Sequence, residues 1–269
     1  MDLPQIRAVA RPRARDELPA VAEGSAWLAG GTWLFSEPQP GLRTLVDLAG
    51  LGWPALEPSA AGLRIGATCT LAALDAFEAP AEWRAAPLFP ACCRALLGSF
   101  KVHAVATVGG NLCLALPAAP MLALCVALDG TARLWRPDGT ERAVPMAAFA
   151  TGPQRTALAP GELLRHVDLP AAALRRRAAV RQASLTTHGR SAALLVATIG
   201  PDGFALTITA STTRPVHAAW PEPPTPAALD DHVASLAPDL WFDDVHGAPA
   251  WRRHMTRRLA AELHGELLG

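Results

Sequence analysis

Val105-Ala106-Thr107-Val108-Gly109-Gly110-Asn111-Leu112 is the stretch on which the fold turns. A short run containing β-branched residues leads into two consecutive glycines and an asparagine. Glycine reaches positive φ and lets backbone approach backbone, so successive N–H groups can converge on one concave spot that suits a pyrophosphate. A tight turn between two strands explains the same residues, with asparagine tolerating a left-handed conformation. On this stretch alone the turn is the simpler reading, because glycine pairs are common in turns.

A second stretch upstream changes the balance. Trp27 to Leu34 reads W-L-A-G-G-T-W-L, again an apolar approach, a glycine pair and a polar residue. If both loops face the same place, their main-chain N–H groups form two nests around a diphosphate, each bond to a charged group contributing roughly 1.5–3 kcal/mol. Thr32 and Thr107 add hydroxyls and Asn111 an amide. Neither loop carries G-x-G-x-x-G at a helix start, and there is no G-x-x-x-x-G-K-S/T, so a Rossmann domain and a P-loop nucleotidase are both poor readings.

The chain of 269 residues suits one large domain or two unequal ones. Its 24 basic and 24 acidic residues cancel, which argues against nucleic acid or an anionic membrane surface as the main partner. Only 18% of residues are charged and 51% are hydrophobic, a balance that favours a subunit partly covered by partners. Cys69, Cys92, Cys93, Cys113 and Cys125 form no C-x-x-C and no iron–sulfur or zinc spacing. The odd count without a signal peptide predicts reduced thiols in a cytoplasmic protein. The apolar uncharged stretch Leu112 to Leu128 contains Pro117 and Pro120 and is too short and too broken to span a bilayer, so no membrane insertion is expected. His103 reads as a loop histidine with no second ligand beside it, and no serine sits in a G-x-S-x-G elbow.

Patterning predicts a first strand within Leu3–Val9, helical composition at Asp16–Glu23, strands at Thr44–Leu48 and Leu63–Ala67, and a helix N-capped by Thr70. Helices follow at Pro87–Leu97 and Ala118–Leu128, then a hairpin of Thr131–Trp135 with Glu141–Val144 and a strand at Leu163–Leu169. The character shifts near residue 170, where a boundary divides 1–170 (subdomains of about 1–55 and 56–170) from 171–269. Beyond it Ala192–Ile199 and Phe204–Thr209 pair around Pro201-Asp202-Gly203, and Pro215–Pro226 reads as a proline-rich loop. The last helix, about Ala250–Leu267, places Trp251, Met255, Leu259, Leu263 and Leu267 on one face and Arg252, Arg253, Arg257 and Arg258 mostly on a solvated one.

The two glycine loops, L-A-G-G-T-W-L at Leu28–Leu34 and A-T-V-G-G-N-L at Ala106–Leu112, resemble the pyrophosphate loops of the FAD-binding medium subunit of the molybdenum hydroxylases, the xanthine, aldehyde and carbon monoxide dehydrogenase family. The connecting L-V-D-L and L-R-I-G-A-T, the segment G-P-Q-R-T-A-L-A-P-G-E-L-L at Gly152–Leu164, and the carboxyl-terminal W-R-R-H-M extend the likeness over essentially the whole chain. The resemblance implies an α+β fold: a vanillyl-alcohol-oxidase-type FAD-binding domain of two α/β subdomains, then a small C-terminal α/β domain with a three-stranded sheet. It implies that Leu28, Ala29, Gly30, Gly31, Thr32, Trp33 and Leu34, with Thr107, Val108, Gly109, Gly110 and Asn111, hold FAD. It further implies that Leu164 contacts the isoalloxazine and that Arg181 lies near the flavin, where the family often has lysine. Two partners follow from the same likeness: a small 2Fe–2S subunit that delivers electrons and a large molybdopterin subunit that oxidises the substrate. NAD+, O2 or a quinone would be the final acceptor. Neither a catalytic side chain nor a metal site is expected in the flavin subunit, since the cofactor carries the chemistry.

The chain departs from the family pattern S-P-x-x-D after the second loop, with Leu116 and Pro120 in place of the serine and aspartate. Trp33 replaces an acidic or small polar residue, and Leu97 and Pro153 stand at positions that are often aromatic. These departures motivate a second reading, a flavin-free structural or assembly subunit of the same fold. A free-standing FAD oxidase is the third.

Overall fold

The computed structural model describes residues 3–20 and 23–269. Ala8–Ala10, Ser25–Leu28 and Thr44–Asp47 form a parallel sheet with Thr44–Asp47 in the middle. Leu45 and Val46 are buried, and Asp47 closes the strand by accepting the Ala49 N–H at 3.0 Å. No helix forms over Asp16–Ala20: a single 3-10 turn, Arg15–Glu17, ends where Pro19 holds Leu18 in extended conformation at ψ 122°. Val21 and Ala22, in the stretch Asp16–Glu23 of helical composition, lie outside the described residues.

A second sheet has five antiparallel strands, in the order Leu56–Ser59, Gly62–Gly66, Leu163–Pro170, Thr131–Trp135, Glu141–Pro145. Period-two alternation sends Leu63, Ile65, Leu134, Val167 and Leu169 into the core. Arg64 and Arg133 meet Asp168 on the opposite face, at 3.1 and 2.9 Å. Helices Leu88–Ala95, Val108–Leu114 and Pro120–Ala127 complete that core. The last of these is apolar all round and every one of its residues is buried, as such a composition requires. It packs against the C-terminal sheet as well, joining the two halves of the molecule.

The C-terminal sheet has four antiparallel strands in chain order, Arg177–Ala183, Ala193–Gly200, Gly203–Thr209 and Val216–Trp220, not three. The extra strand lies inside the stretch read as a proline-rich loop. Pro215 and Pro221 bracket it, and it takes an edge position, where a missing donor costs the sheet least. Ala193–Gly200 is nearly all apolar because both of its faces are covered. Leu194 and Val196 enter the first core, while Ala193, Leu195 and Ala197 pack with Leu259, Leu263 and Leu267 of the helix Pro249–Leu268.

Arg253, Arg257 and Arg258 of that helix are exposed, as the patterning predicts, but Arg252 is 1% exposed. Its Nε donates to Gly247 O at 2.7 Å, and Nη1 donates to Ala192 O at 2.7 Å and Ala210 O at 2.5 Å. Asp244 supplies the counter-charge. A guanidinium tolerates burial only when its donors are met in this way.

Candidate functional site

The first glycine pair leaves directly from the strand Ser25–Leu28. Trp27 pins that strand to the five-stranded sheet, its indole N–H donating to Glu162 O at 3.1 Å. Glu162 is itself held by Arg142, at 2.7 and 2.6 Å, and those bonds keep its carboxyl below the usual carboxylate range. Gly30 and Gly31 need glycine for different reasons. A Cβ at Gly30 would stand 2.0 Å from Val105 O, so only glycine lets the two glycine segments touch. Gly31 has φ +69°, and a Cβ there would meet the Phe35 ring at 2.6 Å. The chain then makes one helical turn, Phe35 N–H donating to Gly31 O and Ser36 N–H to Trp33 O, each at 2.9 Å. The N–H groups of Gly30, Gly31, Thr32, Trp33 and Leu34 have no partner among the described residues. Unpartnered N–H groups of this kind carry partial positive charge and receive anions.

The second pair behaves differently. It is neither a loop after a strand nor a turn between strands: Val108–Leu114 is a helix with Thr107 as its N-cap. Thr107 Oγ1 accepts the Gly110 N–H at 3.0 Å. Val108 N–H donates to Cys69 O at 2.8 Å, Gly109 N–H to Ala67 O at 2.9 Å and Asn111 N–H to Thr107 O at 3.0 Å. The N–H groups of Val108 to Asn111 are therefore all committed, and they form no second main-chain nest. Gly109 serves packing, since a Cβ would lie 2.6 Å from the Ala67 Cβ. What the helix offers instead is side chains. The Thr107 hydroxyl accepts from Gly110 and keeps its own hydrogen to donate; Asn111 Oδ1 accepts the Met121 N–H at 3.1 Å, leaving its amide nitrogen as a donor.

Both segments face one cleft of about 720 Å³, within the size range of small-molecule sites. Leu28 to Leu34 all line it, with Thr107, Gly110 and Asn111. Leu96, Leu97, Val102, Leu114 and Leu116 make apolar walls. Val108 and Gly109 are buried behind the lining, and Leu164 is 2% exposed in the core, away from the cleft. Arg181 is also elsewhere: it pairs with Glu266 and approaches Glu262 at 3.8 Å on the last helix. Among the described residues the one cationic side chain in the lining is Arg190, which no motif singles out. Pro120 is buried at the start of Pro120–Ala127 and opens no gap in the wall, which Leu116, Ala118 and Ala119 complete. His103 bonds Leu96 O at 3.2 Å and stays out of the lining. Cys113 lines the cleft, but burial pushes its thiol up to about 12, so it is not a thiolate nucleophile. Cys69, Cys92, Cys93 and Cys125 are free and buried in the core.

Five free N–H groups, a hydroxyl and an amide beside apolar walls fit an extended ligand with an anionic middle and a flat apolar end. Fold and cleft together define a dinucleotide-binding domain of the flavoprotein kind. The chain belongs to the family described as FAD binding domain in molybdopterin dehydrogenase, whose model matches residues 6–172. Solved structures carry the likeness over the remaining residues. A chain of quinoline 2-oxidoreductase from Pseudomonas putida 86 aligns at TM-score 0.80 and 19% identity, covering 99% of this chain and 98% of that one. A chain of carbon monoxide dehydrogenase from Hydrogenophaga pseudoflava, in a form lacking the Mo-pyranopterin moiety, aligns at 0.81 and 19%, with the same coverage. A chain of reconstituted CO dehydrogenase from Oligotropha carboxidovorans aligns at 0.83 and 22%, covering 99% of each. At these identities the alignments show a shared fold. Comparison with curated protein sequences gave no match.

Proposed function

We propose that this chain is the FAD-binding electron-transfer subunit of a molybdopterin-dependent hydroxylase or dehydrogenase. The observation that carries the reading is the row of unpartnered N–H groups from Gly30 to Leu34 in a cleft closed by the helix of the second glycine pair. Bound FAD supplies reversible two-electron chemistry. The protein's part is placement. The N–H row receives the diphosphate, Thr107 and Asn111 add donors, and Leu96, Leu97 and Leu116 keep water from the ring. Electrons arrive from the 2Fe–2S clusters of a small partner subunit, a large partner holds the molybdopterin, and NAD+, O2 or a quinone takes them away. Family membership supports the flavin, and the names of the three similar structures support an oxidoreductase assembly. The family match ending at residue 172 supports a division into 1–170 and 171–269. No helix among the described residues is long and apolar enough to cross a membrane, and we assign the complex to the cytoplasm.

Co-expression with the neighbouring partner subunits tests the reading. The purified complex should carry one FAD per copy of this chain, reduced by the substrate of the large subunit and by none when the chain is isolated. A complex devoid of flavin absorbance would leave this chain a structural subunit. Direct reduction of the isolated chain by a small substrate would make it an oxidase.

A further inference from the structure

Arg190 stands apart from every other cation of the molecule that the cleft could use. It lines the cleft and has no ion-pair or hydrogen-bond partner among the described residues, whereas Arg181 is neutralised by the last helix. Among the described residues the only other charged one in the lining is Glu37, three residues past the N–H row. The position of Arg190 is built rather than incidental. Its loop is closed at the base by Ala192 N–H to Ala183 O at 2.8 Å and by Gln182 Nε2 to Ser191 Oγ at 2.9 Å. Within the loop Gly189 N–H donates to Thr186 O at 2.9 Å. Buried Arg252 then ties the loop to the cleft wall, since its Nη1 holds both Ala192 O and Ala210 O. The Ala210 N–H donates to Pro117 O at 2.8 Å, between lining residues Leu116 and Ala118.

This chain of contacts places the base of the Arg190 loop beside the segment that follows the helix Val108–Leu114. The N–H row touches Val105, before the helix Val108–Leu114, and the Arg190 loop is tied to Pro117, just after it. A seven-residue helix is roughly 10 Å long at 1.5 Å per residue, and it separates the two attachment points, Val105 and Pro117, along the cleft wall.

We propose that Arg190 tunes the flavin, its guanidinium favouring the reduced, anionic form of the ring and so raising the reduction potential. The proposal rests on the FAD reading above. Two electrons place negative charge on the ring system, and a nearby fixed cation stabilises that charge most strongly in a cleft with apolar walls. Arg190 acts by charge alone and does not hold the diphosphate, so it is a positioning and tuning residue, not a catalytic one.

The test uses the whole chain, loaded with FAD, as Arg190→Met and Arg190→Lys. Arg190 is partly exposed on a loop, so both variants are expected to fold. Arg190→Met should retain one FAD per chain while its preference for reduced over oxidised flavin falls about tenfold, a potential lower by about 30 mV for a two-electron couple. Arg190→Lys should stay near wild type. Full FAD with an unchanged potential in Arg190→Met would overturn the proposal. Folded Arg190→Met that has lost its FAD would also overturn it, by making Arg190 a phosphate ligand. A wild-type chain that takes up no flavin would refute the FAD reading itself and this proposal with it, an outcome distinct from the other two.

Discussion

Gly30-Gly31 and Gly109-Gly110 each follow an apolar run and precede a polar residue, yet their main-chain donors end in different places. Around the first pair, the N–H groups of Gly30 to Leu34 find no acceptor among the described residues, and all five residues line the cleft. Around the second, Thr107 and the carbonyls of Ala67 and Cys69 take the N–H groups of Val108 to Asn111. The cause lies in what stands next to each segment. The first leaves a parallel sheet at its carboxyl end, where Val105 O packs against Gly30 without accepting an N–H of the row. The second starts a helix directly against the turn that follows Gly62–Gly66, and that turn's carbonyls fill the places an anion would need. Free donors are thus a tertiary property, which two glycines permit without specifying.

The comparison can be broken or sharpened by substitution, beginning with the largest expected effect. Glu162→Gln leaves Arg142 without its counter-charge beneath the strand that delivers the first pair, and should cost about 3 kcal/mol in denaturant unfolding. The same residue sets a pH dependence. Its carboxyl is held low by the Arg142 bonds, so its stabilisation is present above the unfolded-state value and is lost as pH falls through the folded one. Urea midpoints of the wild type should therefore decline in acid more steeply than those of Glu162→Gln.

Gly109→Ala forces a methyl against Ala67 and should cost about 2 kcal/mol, while each folded molecule keeps its FAD. Loss of FAD in proportion to folded protein would mean that the second pair does more than pack. Thr107→Val removes the N-cap at about 1 kcal/mol and one hydroxyl donor, weakening FAD roughly tenfold in a titration. Gly110→Val changes stability least, within about 1 kcal/mol, because its new side chain meets only Thr107 before reaching the cleft. It should nevertheless yield folded protein without flavin, as circular dichroism and absorbance together would record.

Local patterning carried much of the fold. The five-stranded sheet shows in the alternation of Leu63–Ala67 and Leu163–Leu169, and the Thr70 cap is present as predicted, accepting the Ala73 N–H at 3.1 Å. The helix of the second glycine pair was hidden because V-A-T-V reads as a strand and paired glycines disfavour a helix interior; its stabilisation comes from Ala67 and Cys69, some forty residues away. The fourth strand of the C-terminal sheet was masked by its flanking prolines. Arg252 does not read as buried in the sequence, because two of its acceptors are main-chain carbonyls 60 and 42 residues distant and leave no mark there. Arg190 escaped for the same reason: its place in the cleft is set by Arg252, Ser191 and Pro117 rather than by any motif.

Amide hydrogen exchange of the chain with and without FAD tests the central claim most directly. The N–H groups of Gly30 to Leu34 should exchange fast in the apoprotein and gain protection when FAD binds, while those of Val108 to Asn111 should be protected in both states and change little. Protection gained at Val108 to Asn111, with Gly30 to Leu34 still exchanging freely in the FAD-bound protein, would contradict the account.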